Sequence, residues 1–263
     1  MKSMGATLTF LGSGTSQGVP IIACDCQVCQ SYDSKDKRLR ASVLIETEGY
    51  QFCIDAGPDF RQQMLRENVK KLDAILLTHE HKDHIAGLDD VRAFNYQTQK
   101  DFPIYCSARV ETALRREFHY AFEAKPYPGV PKYALHTIEN NVFFLKENIP
   151  IEVIEVMHHK MPVFGFRIGK LAYITDAKTI SAPEKEKLKS LDTLIINALH
   201  EQEHPSHLNL SEALALIEEL KPAQTYLTHI SHLFGKHEEV LKKLPKNVYL
   251  AFDGLRIPFQ YFA

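Results

Sequence analysis

Leu72-Asp73-Ala74-Ile75-Leu76-Leu77-Thr78-His79-Glu80-His81-Lys82-Asp83-His84 is the stretch on which the reading of this chain turns. Its first six residues are almost all apolar and read as a buried strand. The rest crowds three imidazoles and two carboxylates into a few positions, with a helix expected to begin near Ile85. A strand that ends in a tight loop aims alternate side chains into one cleft. His79 and His81 therefore predict one cation between them, and Asp83 with His84 predicts a second position beside it. Imidazole and carboxylate suit Zn, Mn or Fe. A zincin helix is excluded, because it needs its histidines four apart on one helical face. The plain alternative is a solvated polar loop.

Working outward, β-rich runs occur at Thr7–Leu11, Ser42–Glu46, Gln51–Ile54 and Ala74–Leu77, with Gly49-Tyr50 as a hairpin turn. Apolar residues at three- and four-residue steps predict helices over Asp59–Glu67 and Arg109–Glu123. Downstream, strands are expected at Ile151–Val156, Val163–Ile168, Leu171–Ile174, Leu191–Asn197 and Thr225–Thr228. Helices are expected over Ala182–Leu188, where Pro183 sits near the start, and over Leu210–Leu220. Asn209 followed three places later by Glu212 has the form of a capping box. No repeat or linker divides the chain, so a single domain spanning 1–263 is expected. Strand runs followed twice by helices predict two half-domains packed sheet on sheet, with helices outside.

With 44% hydrophobic and 24% charged residues, the 263-residue chain has ample material for a core. A net charge of -2 offers no global attraction to nucleic acid or anionic membrane. Met1–Ala6 lacks the apolar stretch of a signal peptide, and no run approaches bilayer length, so a cytoplasmic location is expected. The 13 histidines, most of them grouped, point to metal chemistry. Among the five cysteines, Cys53 and Cys106 stand alone and read as core. Cys24, Cys26 and Cys29 have the spacing C-x-C-x2-C, which lets three thiolates wrap one tetrahedral ion but leaves it short of a fourth ligand. A redox pair of Cys26 and Cys29 is the alternative.

His79-Glu80-His81-Lys82-Asp83-His84 resembles the H-x-H-x-D-H signature of the metallo-β-lactamase superfamily. Gly87–Arg92, Phe10–Gly14 and Phe252-Asp253-Gly254 extend the resemblance over nearly the whole chain, towards the cyclic-phosphate phosphodiesterases of the carbon–phosphorus lyase pathway and their relatives. The resemblance implies an α/β fold, the αββα sandwich of two packed mixed β-sheets with helices on the outer faces. It implies a two-metal cage of His79, His81 and His158 on one ion and Asp83, His84 and His229 on the other, with Asp176 shared. His159 competes with His158 for its place. It further implies a structural zinc on Cys24, Cys26, Cys29 and His232.

By the same resemblance His207 is the general acid, His200 supports it, and Asp83 orients the attacking hydroxide. His204 reads as a surface loop residue. Arg92 and Lys160 are candidates for a phosphate contact, with surface ion pairs as the alternative. Asp55, Asp59, Asp89, Asp90 and Asp253 are candidates for bracing the site. The implied activity is metal-dependent hydrolysis of a small phosphodiester, cyclic ones included. Alternatives are an RNA 3′-end processing endonuclease, a thioester or other acyl hydrolase, and a non-catalytic metal-binding accessory protein. No basic or glycine-rich arm for RNA is visible, which ranks nucleic acid low as a partner. No membrane partner is expected, and a homodimer is compatible with the family.

Overall fold

In the computed structural model, which describes residues 3–47, 49–139 and 141–262, two mixed sheets pack face to face. The first contains β1 (Ser3–Gly12), β2 (Ser42–Thr47), β3 (Tyr50–Ile54), β4 (Ala74–Leu76), β5 (Phe102–Cys106), β6 (Tyr133–Thr137) and β15 (Arg256–Phe262). Its order is β15-β1-β2-β3-β4-β5-β6. The second contains β7 (Val142–Leu145), β8 (Ile149–His158), β9 (Met161–Ile168), β10 (Leu171–Tyr173), β11 (Thr179–Ile180), β12 (Thr193–Asn197), β13 (Gln224–Thr228) and β14 (Val248–Leu250). Its order is β11-β8-β9-β10-β12-β13-β14, with β7 paired to β8.

The strands from β3 to β6 run parallel, as do β10, β12, β13 and β14. Parallel neighbours need a crossover, and here most crossovers are helices. They are α1 (Phe60–Arg66), α2 (Lys82–Ile85), α3 (Arg92–Thr98) and α4 (Ala108–Glu117) on one sheet, then α5 (Ala182–Glu186), α6 (Leu210–Leu220) and α7 (His237–Leu241) on the other. Among the described residues no helix is long and apolar enough to cross a membrane.

Period-two patterning assigns each side chain its layer. Val43, Ile45, Phe52, Ile54, Ala74 and Leu76 face the core between the sheets, opposite Phe166, Tyr173 and Ile195. The intervening Leu44, Cys53 and Ile75 face outward and are covered by Phe60, Met64, Ile85 and Leu114. Leu194, Ile196 and Leu227 do the same on the second sheet, under Ala213, Leu216 and Val240. Each fully buried Leu, Ile or Phe contributes about 1.5–3 kcal/mol, so slipping β2 by one residue would expose a row of them. Cys53 and Cys106 are both fully buried, as expected.

The capping box of α6 forms as predicted, with Asn209 Oδ1 accepting from the Glu212 N–H and Glu212 Oε2 from the Asn209 N–H, each at 2.9 Å. The helix expected over Arg109–Glu123 instead ends at Glu117. A 3-10 turn, His119–Ala121, follows. Phe118 and Phe122 turn onto Tyr133 of β6, at ring distances of 5.9 and 5.7 Å, and that packing outweighs continued helix. The strand expected from Leu191 starts at Thr193, the first residue to pair with β10 and β13. The helix expected near Ile85 is a single turn, Lys82–Ile85, closing the motif itself. Strands β5, β6, β7, β14 and β15 were not legible as periodic runs. β15 even contains Pro258, tolerated because this strand is at the sheet edge and pairs only with β1.

Candidate metal centre

The carboxyl ends of the parallel strands meet at one rim of the sandwich, where open α/β sheets present their crevice. Asp55 follows β3, Thr78 and His79 follow β4, Asp176 follows β10, and His229 follows β13. Asp55, Asp176 and His229 have φ of 66°, 55° and 57°, in the left-handed region. For residues other than glycine each such turn costs roughly 1–3 kcal/mol, and strain of this kind collects at functional sites. The three turns swing their side chains into the rim instead of along the strand.

Seven ligand-type side chains converge there. His79 Nε2 faces His81 Nδ1 at 3.0 Å. Two imidazole nitrogens on one tetrahedral ion stand about 3.3 Å apart, so this approach has the spacing of a shared ion. His158 lies against both rings, with centroids 5.9 Å from His79 and 5.2 Å from His81. On the other flank His84 Nε2 lies 3.1 Å from Asp83 Oδ2 and 3.2 Å from Asp176 Oδ2. His229 Nε2 is 3.4 Å from Asp176 Oδ1 and 3.9 Å from Asp83 Oδ2. Asp176 thus offers one oxygen toward His84 and the other toward His229, and it groups with donors of both flanks.

The surroundings fix which nitrogen each ring presents. Asp55, fully buried, accepts from the Thr78 N–H at 2.9 Å and lies 2.7 Å from His84 Nδ1. A carboxylate on Nδ1 holds that nitrogen's proton, so Nε2 is the nitrogen aimed at Asp83 and Asp176 and the one a cation would take. Thr78 Oγ1 donates to Asp55 and meets His79 Nδ1 at 2.9 Å, which orients that ring likewise. His158 Nδ1 donates to the Ser206 carbonyl at 2.8 Å, freeing its Nε2. His159, the competitor for this place, is exposed at the tip of the β8–β9 hairpin and outside the cluster.

Burial shapes the charges. It pushes His79 well below the ordinary imidazole range, helped by His84, and it lowers His158 too. His84 is also penalised by burial, but Asp83, Asp55 and Asp176 overcome that and raise it well above. Burial works against the Asp83 and Asp176 carboxylates, yet the histidines around them hold both well below the usual range. The buried nitrogens His84 Nε2, His207 Nδ1 and both of His229 have no hydrogen-bond partner among the described residues. Orphaned nitrogens around paired carboxylates are an arrangement that divalent cations satisfy.

A second cluster lies in the N-terminal loop. Cys24, Cys26 and Cys29 each place Sγ near His232 Nδ1, at 3.3, 3.4 and 3.5 Å. With Zn–S near 2.3 Å and Zn–N near 2.0–2.1 Å, a tetrahedral site sets S and N about 3.5 Å apart. Burial disfavours the Cys26 thiolate, but the Cys29 N–H and His232 more than offset it and bring Cys26 down to about 6. Burial, opposed by the Ile21 N–H and reinforced by the neighbouring thiols, pushes Cys29 up to about 11. His232 opens a 3-10 turn capped by Ser231, three residues beyond His229. Between the two, Ile230 exchanges hydrogen bonds with the N-terminal loop, its N–H to Ser13 O at 2.9 Å and its carbonyl from Thr15 N at 3.1 Å. The knuckle and the rim thereby share one backbone segment.

His207 stands against the rim. Its ring stacks on His229 at 4.8 Å, approaches His158 at 4.5 Å, and places Nδ1 3.6 Å from Asp176 Oδ1. Burial and His229 push it down to about 2, so it is a neutral imidazole in this environment.

A family model described as Beta-lactamase superfamily domain matches residues 50–230. The crystal structure of a diphosphatase from the PhnP family superposes with a TM-score of 0.93, at 41% identity and 100% coverage of both chains. This chain belongs to the PhnP family of the β-lactamase superfamily. The octanoyltransferase of Porphyromonas gingivalis is 42% identical over 248 residues, which is 94% of this chain. The chain spans only 50% of the length of that relative. The short form of human tRNase Z shares the fold at 19% identity, with a TM-score of 0.71 and coverage of 95% and 98%.

Other expectations for this PhnP-family chain are sorted by the geometry. His200 was expected to support His207, but its ring lies against His204, 6.0 Å away, and its Nδ1 accepts from the Gln202 N–H. His204, read as a surface loop residue, is the ring that meets His207, at 5.0 Å, and it is half-buried. Arg92 pairs with Asp89 at 2.9 Å, while Lys160 lines the recess beside His81 and His158. Asp59 pairs with Arg40, and Asp253 holds Ser13, the Leu39 N–H and Arg66. Two features went unread in the sequence. Buried Arg38 ties Ser13 Oγ to the Ala251 carbonyl and His237, and Glu80 grips Arg109 at 2.5 Å. Neither partner is close in sequence, so no local signal announced them.

Proposed function

We propose that this chain is a metal-dependent phosphodiesterase acting on small phosphodiesters, with cyclic phosphates and diphosphate-linked esters within its range. The observation that carries the reading is the convergence of His79, His81, Asp83, His84, His158 and His229 around Asp176, with His207 stacked at their edge. His79, His81 and His158 would hold one divalent ion and Asp83, His84 and His229 the other, with Asp176 between them. Zn, Mn and Fe all suit this donor set. Bound there, two such ions supply a hydroxide at neutral pH and neutralise the phosphoryl oxygens. Asp83 would accept a hydrogen bond from the attacking group and so orient it. His207 would give the departing alkoxide its proton. It is neutral until a substrate anion arrives, whose charge favours the protonated ring.

The diphosphatase likeness supports phosphoryl chemistry. The octanoyltransferase name belongs to a polypeptide twice this length and carries no acyl assignment here. The likeness to tRNase Z is one of fold. The metal-replete protein should cleave bis(p-nitrophenyl) phosphate and one or more of the 2′,3′-cyclic nucleotides or a ribosyl 1,2-cyclic phosphate, and should leave precursor transfer RNA intact. Turnover of no phosphodiester would overturn the reading.

Asp55→Asn tests the bracing of His84. It should weaken retention of the cage metals by about 10–100-fold, read by chelator competition. Unchanged retention would reduce Asp55 to a folding role. The knuckle residues Cys24, Cys26, Cys29 and His232 would hold a structural zinc that ties the N-terminal loop to the segment carrying His229. Cys26→Ser should lower zinc by one equivalent per chain and lower the melting temperature. Zinc content equal to that of the wild type would identify Cys26 and Cys29 as a redox pair instead.

A further inference from the structure

His84 Nδ1 meets Asp55, His79 Nδ1 meets Thr78 Oγ1, and His158 Nδ1 meets the Ser206 carbonyl. Each of these partners fixes the direction of its ring. His229 is as buried as His79 and His84, yet its Nδ1 has no hydrogen-bond partner among the described residues. Its direction is left to the backbone and to the His207 ring stacked on it. We propose that Asp253 is the positioning residue for His229, acting through Ser13 and Ile230. The proposal rests on the two-ion reading of the cage.

The backbone holds His229 from both sides. Before it, the Thr228 carbonyl accepts from the Ala198 N–H at 3.1 Å as β13 leaves the sheet. After it, the Ile230 N–H donates to the Ser13 carbonyl at 2.9 Å, and the Ile230 carbonyl accepts from the Thr15 N–H at 3.1 Å. Between these two anchors His229 takes φ 57°, a strained turn for a residue with a full side chain. The swing of its ring into the rim therefore depends on both ends staying pinned.

Asp253 pins Ser13 in turn. One oxygen of its carboxylate accepts from both the N–H and the hydroxyl of the fully buried Ser13, each at 2.9 Å. The other oxygen accepts from the Leu39 N–H at 2.8 Å and from Arg66 Nη1 at 3.0 Å. Hydrogen bonds to an ionised acceptor are the strong ones, and here both oxygens are engaged. Arg38 Nη1 adds a bond to the Ser13 hydroxyl at 2.8 Å. The loop has no slack around these bonds. A Cβ at Gly12 would collide with the Arg40 carbonyl, and one at Gly14 would stand 3.0 Å from Arg38. So closely packed a segment passes a shift at Asp253 on to Ile230 instead of absorbing it.

Asparagine at this position offers one acceptor oxygen where the carboxylate offers two, so either Ser13 or the Leu39 and Arg66 side loses its partner. In chelator competition, Asp253→Asn should weaken by about ten-fold only the cage ion that His229→Ala also weakens. The other cage ion and the knuckle zinc should keep wild-type affinity. Added to His229→Ala, the substitution should cost that ion nothing more. Equal losses at both cage ions, an additive loss, or no loss overturns the proposal. If Asp253→Asn does not fold, Ser13→Ala carries the test. A smaller loss confined to the same ion supports the clamp, and a loss at both cage ions or at neither overturns it. If the wild type takes up only one cage ion, the two-ion reading fails by itself. NMR spectra of the metal-free, histidine-labelled protein then decide the clamp alone. Asp253→Asn should move the ring resonances that His229→Ala deletes and leave those of His79 and His84 in place. His229 resonances that stay put, or an equal shift of every ring, overturn it.

Discussion

Asp176→Ala is expected to lower turnover of any phosphodiester by on the order of a thousand-fold or more and to strip metal from both halves of the cage. The size follows from its place. It is the one carboxylate that reaches toward His84 with one oxygen and toward His229 and His207 with the other. Losing several kcal/mol of charge stabilisation in a dry site is worth about three orders of magnitude in rate. Asp176 has φ 55°, where alanine is strained, so Asp176→Asn is the companion variant. Asparagine tolerates the left-handed turn and removes only the charge. Metal analysis and kcat on both variants check the expectation. If Asp176→Asn keeps its full metal complement and wild-type kcat, Asp176 is not the shared ligand.

His207→Ala is expected to leave the metal content unchanged and to slow turnover by about 10²–10⁴-fold, the range for removing a positioned acid. The loss should depend on the leaving group. An alkoxide needs a proton as it departs, whereas p-nitrophenolate leaves readily without one. The variant should therefore lose far more activity on a cyclic nucleotide than on bis(p-nitrophenyl) phosphate. Equal losses on both would argue against proton donation. A fall in metal content would make His207 a ligand, an outcome given force by its grouping with His158 and Asp176 as donors.

The strands nearest the motif were legible because they are near-continuous apolar runs bounded by turn residues, as strands buried on both faces are. Ser42–Glu46 and Gln51–Ile54 read as a hairpin and are β2 and β3 within a residue. The α6 capping box was equally plain, since its two hydrogen bonds join residues three apart. Short strands such as β5 and β14 were not legible. Their pairing partners lie far along the chain, and three to five residues carry too little period to announce a strand. The end of α4 at Glu117 was hidden for the same reason, because Tyr133 decides it.

His79–His84 by itself determined that side chains of metal-ligand type leave the end of a buried strand together. The cysteine spacing did as much for the N-terminal knuckle. Only the tertiary structure decided that His158 and not His159 enters the cluster, because that choice depends on a hydrogen bond to Ser206 on a distant loop. It also decided that Asp55 steadies His84, that His204 rather than His200 meets His207, and that Glu80 carries Arg109 to the recess. A local motif specifies which donors emerge from one strand end. The direction each ring faces is set by partners on other strands, and only the folded chain brings those together.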